Sequence, residues 1–174
     1  QWQRTSMSAI YALSDNALSS NSATAYNSPI SAGSCGKNYV VYISNGANQQ
    51  NNNANTTTNS MLAAEGGDTT EIPISPTGSQ SNPSDEWARF MKSSAHEITT
   101  YAIDVDKVET GQGPGWSALL MSMSQGVGGG KYFDVSSASG GAELSDAINT
   151  VLSEILSVNS VFASVSLPVS VNTQ

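Results

Sequence analysis

The feature that most constrains this 174-residue chain is an alternation of two hydrophobic patterns along its length. Runs of β-branched and aromatic residues, typical of buried strands, occupy 38–44, 97–105 and 131–135. Apolar residues spaced three and four apart, typical of one helix face, occupy 2–18, 84–94, 116–123 and 143–156. Because right-handed crossovers return each helix over the sheet, the alternation predicts an α/β fold with a mostly parallel sheet and helices on both faces.

The helix predicted at 84–94 has the clearest start signal. Asn82 and Pro83 are typical of an N-cap and a first helical residue. Asp85 and Glu86 follow, where the helix dipole favours negative charge. We expect the apolar residues of this helix to be buried, namely Trp87, Phe90 and Met91.

Two segments break the alternation. Residues 45–83 include an Asn- and Thr-rich stretch that cannot bury enough apolar surface to offset its ordering entropy. We interpret 45–83 as a low-complexity surface insertion, in which 61–62 and 72–74 contact the body. Residues 161–171 alternate apolar and polar side chains, which predicts a strand. The expected organisation is one domain over 1–157, followed by an exit strand or linker over 158–174.

Composition excludes several classes of function. Fourteen acidic and six basic side chains give a net charge of −8, which argues against a nucleic-acid partner. No apolar run approaches the roughly 20 residues of a membrane-spanning helix. One cysteine and one histidine cannot supply a four-ligand zinc site. The single cysteine, Cys35, is either a buried free thiol or half of a disulfide to a segment outside this chain.

The candidate catalytic and calcium motifs are weak. The glycines at 126–130 follow a predicted helix and precede a strand, which is the wrong order for a dinucleotide-binding loop. The serines show no nucleophile-elbow pattern, so we expect no enzyme activity. Asp104, Asp106 and Glu109 lack the spacing of an EF-hand loop, and we interpret them as a solvated strand end.

Several of these segments resemble a known family. Residues 38–46 (NYVVYISNG), 99–104 (TTYAID) and 129–133 (GGKYF) resemble central strands of von Willebrand factor A domains. Residues 34–39 and the tail 158–174 are similar to the PilY family of type IV pilus biogenesis proteins and pilus-tip adhesins. The resemblance covers nearly the whole chain. It implies a Rossmann-like, von Willebrand A-type three-layer sandwich whose first strand is missing from this chain, so that 1–157 is a partial domain.

The same resemblance bears on metal binding. The family holds a divalent cation with an Asp-x-Ser-x-Ser loop, a threonine from a second loop and an aspartate from a third. Thr5 matches the threonine, whereas Asn45 stands in place of the aspartate and removes a full charge. The resemblance therefore implies a degenerate site and no cofactor. Mg²⁺ or Ca²⁺ would bind only if a missing N-terminal segment completed the site.

The function implied by the resemblance is a non-enzymatic adhesion or assembly module of a type IV pilus-associated protein on a Gram-negative cell surface. Its expected partners are pilus components or a host surface, and the N-terminal part of the same protein or another chain that completes the sheet. We expect neither a nucleic-acid partner nor a membrane span. Two alternatives stay open: a structural subunit of a bacterial surface layer or filament, and the non-catalytic part of a secreted hydrolase.

Overall fold

A computed structural model describes residues 30, 36–44, 52–107 and 113–164. For 52–53 and 158–164 it describes the backbone alone. The chain divides into two units, Gln1–Gly36 and Lys37–Gln174. All the elements below belong to the second unit. Its helices are α1 (Asn52–Ala64), α2 (Ser84–Ser93), α3 (Pro114–Met121) and α4 (Ala142–Ser164), and a π-helical turn, Ser122–Gly126, continues α3.

The strands form a three-stranded parallel sheet in the order β1 (Tyr39–Ser44), β2 (Thr99–Val105) and β3 (Gly129–Val135). β1 and β2 pair in continuous register, from Tyr39 opposite Thr99 to Ser44 opposite Asp104. The register between β2 and β3 shifts between Thr100 and Ala102. The predicted α/β class and parallel sheet are confirmed for the described residues.

One face of the sheet is covered by α2, α3 and the π-helical turn. The core on this side consists of Ile74, Ala88, Ala102, Trp116, Leu119, Leu120 and Met123. Gly115 in α3 allows a close approach, since a Cβ there would lie 2.5 Å from the Cα of Gly78. This packing brings the short 3-10 turn Thr77–Ser79 against the start of α3.

The opposite face is covered by α4. Its Ala147 packs with Ile103 of β2 and Val135 of β3, and the surrounding half-buried residues are Val105, Phe133, Leu144 and Ile148. These α4 positions belong to the predicted apolar stripe of 143–156. The sheet therefore has helices on both faces, as the alternation of patterns predicts.

The expected burial in α2 is wrong. Trp87, Phe90 and Met91 are only half-buried, and Trp87 and Phe90 make an edge-to-face contact at 5.8 Å between ring centroids. The fully buried residues of α2 are instead Asp85, Glu86 and Ala88. The helix turns its small Ala88 towards the core, where that residue packs in the cluster with Ala102. The N-cap of α2 is Pro83, one residue later than the predicted Asn82, and Pro83 is not the first helical residue. The Oδ1 of Asn82 accepts the Ser84 N–H at 3.1 Å.

Part of the segment interpreted as an insertion is ordered. Residues 52–64 form α1, and Leu62 is fully buried. Ile74 is 8% exposed and belongs to the core beneath α3. Each of the two apolar patches, 61–62 and 72–74, therefore contributes one buried residue. The polar sequence that precedes Leu62 is helical.

The end of α4 also differs from the expectation. The helix continues to Ser164, so the predicted strand is wrong for 161–164. The physical reason is that neither glycine nor proline occurs between Ala142 and Leu167 to end the helix. The rest of the predicted strand, 165–171, lies outside the described residues.

Candidate functional site

The three site residues predicted from the sequence, Thr5, Asn45 and Cys35, lie outside the described residues. The strand that leads to Asn45 is β1, which ends at Ser44 in register with Asp104. The degenerate cation site and the disulfide therefore stay predictions. What the structure describes at this end of the sheet is the neighbouring strand end, that of β2.

Asp104 at the end of β2 is completely buried. Its Oδ2 accepts hydrogen bonds from the Ser117 hydroxyl at 2.6 Å and from the Tyr132 hydroxyl at 2.8 Å. Its Oδ1 is buried without a hydrogen-bond partner. The interpretation of Asp104 as a solvated strand end is wrong, because α3 and β3 enclose this side chain. Asp104 joins α3 to two strands of the sheet.

Tyr132 and Tyr101 behave as buried hydrogen-bond donors. Burial raises the pKa of Tyr132, and its bond to Asp104 raises it further. Burial also raises the pKa of Tyr101 to about 12, with a second contribution from Glu154 of α4. Both hydroxyls thus remain protonated at neutral pH and donate to carboxyl groups, Tyr101 to Glu154 at 3.2 Å. This chemistry supports packing between strands and helices rather than proton transfer.

The other acidic residues near this edge are engaged separately. Asp106 has a positive φ of 53° and accepts the Ser137 N–H at 2.7 Å. That side-chain bond holds the pKa of Asp106 below its usual range. Asp134 pairs with Lys107 at the surface, and Glu109 lies outside the described residues. Within 36–44, 52–107 and 113–164, no three acidic, histidine or cysteine side chains form a group that could hold a metal ion.

A pair of buried carboxyl groups was missed by the sequence reasoning. Asp85 and Glu86, at the start of α2, are only 1% and 3% exposed. The Oδ2 of Asp85 accepts the Ser122 hydroxyl at 2.6 Å, and the Oε1 of Glu86 accepts the Ile72 N–H at 2.8 Å. In the sequence these acids look like ordinary acidic residues in the first turn of a helix, which are usually solvated. No local sequence pattern shows whether such an acidic side chain is buried or solvated.

The outer strand β1 carries an exposed apolar patch. Val41 and Ile43 are 41% and 51% exposed. Their register partners are Tyr101, which bonds α4, and Ile103, which packs under α4. Val41 and Ile43 therefore lie on the α4 face of the sheet, because paired residues of parallel strands point to the same side. We call these two side chains, together with the edge of β1 that faces away from β2, the β1 surface.

Among the described residues, β1 pairs with β2 on one side and with no strand on the other. A free strand edge offers backbone N–H and C=O groups that another extended chain can pair with. Apolar side chains beside such an edge add surface that is favourable to bury. The β1 surface thus combines the two properties that a strand-binding site requires.

The outer side of α4 has a different character. A shallow cavity there is lined by the polar side chains of Asp146, Asn149, Thr150, Ser153, Glu154 and Ser157. These described residues all come from one helix, so they do not converge on a ligand from several elements. Leu152 and Leu156 of the same helix are 50% and 67% exposed. They provide exposed apolar positions on a different element for control variants.

Comparison with known proteins identifies no family: no family model matches the chain, and neither a curated protein nor a solved structure matches it significantly. Of the helices in the described ranges, none has the length and apolar character needed to cross a bilayer. Function is therefore proposed from the sequence resemblance and from the geometry of the β1 surface.

Proposed function

We propose that this chain is a non-enzymatic binding module of a type IV pilus-associated bacterial surface protein, and that it binds its partner through the β1 surface. The observation that carries the proposal is the exposure of Val41 and Ile43 on the outermost strand of the described sheet. The partner supplies an extended strand, either from the N-terminal part of the same protein or from another chain.

The energetics of the β1 surface favour a strand partner. Fully burying a valine or isoleucine side chain contributes about 1.5–3 kcal/mol. Val41 and Ile43 are each about half exposed, so covering both contributes roughly 1.5–3 kcal/mol on that scale. Micromolar affinity corresponds to about 8 kcal/mol. Backbone hydrogen bonds along β1 and contacts beyond the two side chains must therefore supply the remainder, as strand addition does.

The proposed location is the outside of a Gram-negative cell, on or near the pilus. Three features support this: the motif resemblance, the low charged fraction of 11%, and the net charge of −8. No cation is required for binding in this proposal, because Asn45 offers a neutral amide where the family has a carboxylate.

The alternative of a structural surface-layer or filament subunit is favoured by the same exposed side chains of β1. An uncovered strand can pair with a second copy of the chain as readily as with a different partner. Self-association would make the β1 surface an interface between copies. Sedimentation velocity over a range of protein concentrations distinguishes the two functions, since only the alternative predicts concentration-dependent assembly of the purified protein.

The proposal is tested by placing charge on the β1 surface of the full-length protein in cells. The double variant V41K/I43K should reduce piliation, twitching motility or surface attachment, because two buried lysines would oppose strand docking. Both positions are exposed in the described fold, so the variant should be produced at the normal level. Leu156→Lys, on the exposed side of α4, is the matched control and should leave all three properties unchanged.

The opposite outcome is equally clear. If V41K/I43K is produced normally and piliation, twitching and attachment all equal those of the wild type, the β1 surface is not the binding site. If the variant instead abolishes self-association of the purified protein, the structural-subunit alternative replaces the proposal.

A further inference from the structure

The segment 68–74, between α1 and α2, has no regular secondary structure and is held by side chains bonded to its backbone. Arg89 of α2 donates to the carbonyl oxygens of Asp68 and Thr70 at 2.7 and 2.8 Å. The Oε1 of Glu86 accepts the Ile72 N–H at 2.8 Å, and the Oε1 of Gln80 accepts the Ile74 N–H at 2.8 Å. Two of these side chains, Glu86 and Arg89, belong to α2. The attachment of the segment to α2 therefore depends on the charge and position of those two side chains.

The bond from Ile72 reaches a carboxyl group in an unusual environment. Glu86 is 3% exposed and its neighbour Asp85 is 1% exposed. The Oε2 of Glu86 is buried without a hydrogen-bond partner, whereas Oδ2 of Asp85 is occupied by the Ser122 hydroxyl. A carboxyl group in such a desolvated site, beside a second acidic residue, ionises only at a large cost.

The groups facing this pair from the surrounding elements carry no compensating charge. The π-helical turn contributes the hydroxyl of Ser122, and the segment contributes the N–H of Ile72. The nearby cations of α2 are directed elsewhere: Arg89 binds Asp68 and Thr70, and Lys92 donates to Thr99 at 3.0 Å. The buried Asp104 of β2 is bonded to Ser117 and Tyr132. Charge on the Asp85–Glu86 pair is therefore unbalanced within the described residues.

We propose that Glu86, beside the buried Asp85, forms a pH-sensitive clasp that holds segment 68–74 on α2 while Glu86 keeps a proton and loosens the segment when that proton is lost. Ionised Glu86 would gain solvation by moving into water, and the contact that must break for this movement is its bond to Ile72. Ile74, at the end of the segment, lies in the core with Trp116 and Leu119. Loosening thus uncovers apolar surface next to α3.

The pH range follows from the shift of Glu86. Burial is the main cause that raises the pKa of Glu86 to about 7; the bond from Ile72 acts in the opposite direction, and the neighbouring Asp85 adds to the increase. An open, solvated Glu86 returns towards its ordinary value of 4.5. The closed state binds more protons than the open state between these values, so closure is favoured in acid and weakens as the pH rises through about 7.

The test is backbone hydrogen exchange of the full chain at about pH 5.5 and about pH 8, with protection factors corrected for the intrinsic pH dependence of exchange. The pKa of Glu86 is about 7 in the closed state and about 4.5 in the open state. Between these values the equilibrium constant for closure falls by up to ten-fold per pH unit. Protection at the Ile72 amide should therefore fall by roughly 25-fold between the two conditions. The Ile103 amide in β2 should keep its protection at both, since the opening is local.

Glu86→Gln separates the clasp from other causes. The glutamine retains an acceptor for the Ile72 N–H and cannot ionise, so protection at Ile72 should be high and independent of pH. Glu71→Gln, an exposed position on the same segment, is the control and should keep the wild-type pH dependence. Equal protection of Ile72 at both pH values in the wild type would overturn the proposal. So would the same fall in Glu86→Gln, or a parallel loss of protection at Ile103.

Discussion

Replacing Asp104 by alanine tests whether the buried carboxyl group is a structural joint between α3 and the sheet. The substitution leaves the hydroxyls of Ser117 and Tyr132 without the acceptor that they share at 2.6 and 2.8 Å. Losing a buried hydrogen-bond partner costs about 1–3 kcal/mol. Two such losses, reduced because hydroxyls can rotate to other acceptors, give a destabilisation of roughly 2–4 kcal/mol. That is a large share of a typical stability of about 5–15 kcal/mol.

The assay is urea unfolding of the purified protein, followed by tryptophan fluorescence, because Trp116 is adjacent to Ser117 in the sequence. Asp134→Asn, at an exposed position of β3 in register with Asp104, is the control. It removes a surface ion pair with Lys107 and should change stability by less than about 1 kcal/mol. A double-mutant cycle of Asp104→Ala with Ser117→Ala should give a coupling energy of about 0.5–3 kcal/mol. A loss below about 1 kcal/mol for Asp104→Ala, or additive effects in the cycle, would refute the reasoning.

Two further substitutions test the packing. Gly115→Ala should lower the melting temperature by overpacking, at a cost of about 1–3 kcal/mol, because its Cβ would lie 2.5 Å from the Cα of Gly78; an unchanged melting temperature would contradict this close approach. Leu62→Ala should cost about 2–5 kcal/mol in the opening of α1, since Leu62 is fully buried in that helix; hydrogen exchange of the α1 amides measures it, and wild-type protection would show that Leu62 does not anchor the helix.

The sheet and its covering helices could be predicted because their residues obey the spacing of one element type throughout. The run at 38–44 contains β1, and the stripe through Leu144, Ala147 and Ile148 packs on the sheet as part of α4. Such patterns show which face of a helix or strand is buried. An α/β domain forms when the buried faces of its helices pack on its sheet. Local spacing was therefore sufficient for the order β1, α2, β2, α3, β3 and α4 and for the parallel sheet.

Helix α1 could not be predicted in this way, since its sequence up to Ser60 is almost entirely Asn, Thr and Ala. A single buried apolar side chain, Leu62, does not produce the repeated spacing of apolar residues that predicts a helix. The continuation of α4 to Ser164 was not predicted, because the alternating apolar and polar residues of 161–171 favour a strand. The absence of a glycine or proline that would end the helix was the opposing signal. Both cases concern segments where tertiary contacts or missing stop signals outweigh local propensity.

The buried acids were the other failure. Asp104 shares a strand face with Thr100 and Ala102, both completely buried, so strand parity in β2 was a usable signal for its burial. Asp85 and Glu86 offered no comparable signal, because their partners Ser122 and Ile72 lie 37 and 14 residues away in the chain. Long-range hydrogen bonds of this kind depend on the folded arrangement and leave no trace in local composition.

The most direct test of the account is site-specific photo-cross-linking from β1 in cells that produce the full-length protein. A photoreactive residue placed at Val41 and, separately, at Ile43 should cross-link to one polypeptide, at positions about two residues apart along an extended segment. The same residue placed at Leu156 should not give that product. Absence of a product from both β1 positions, or the same product from Leu156, would contradict the claim that the β1 surface binds a strand.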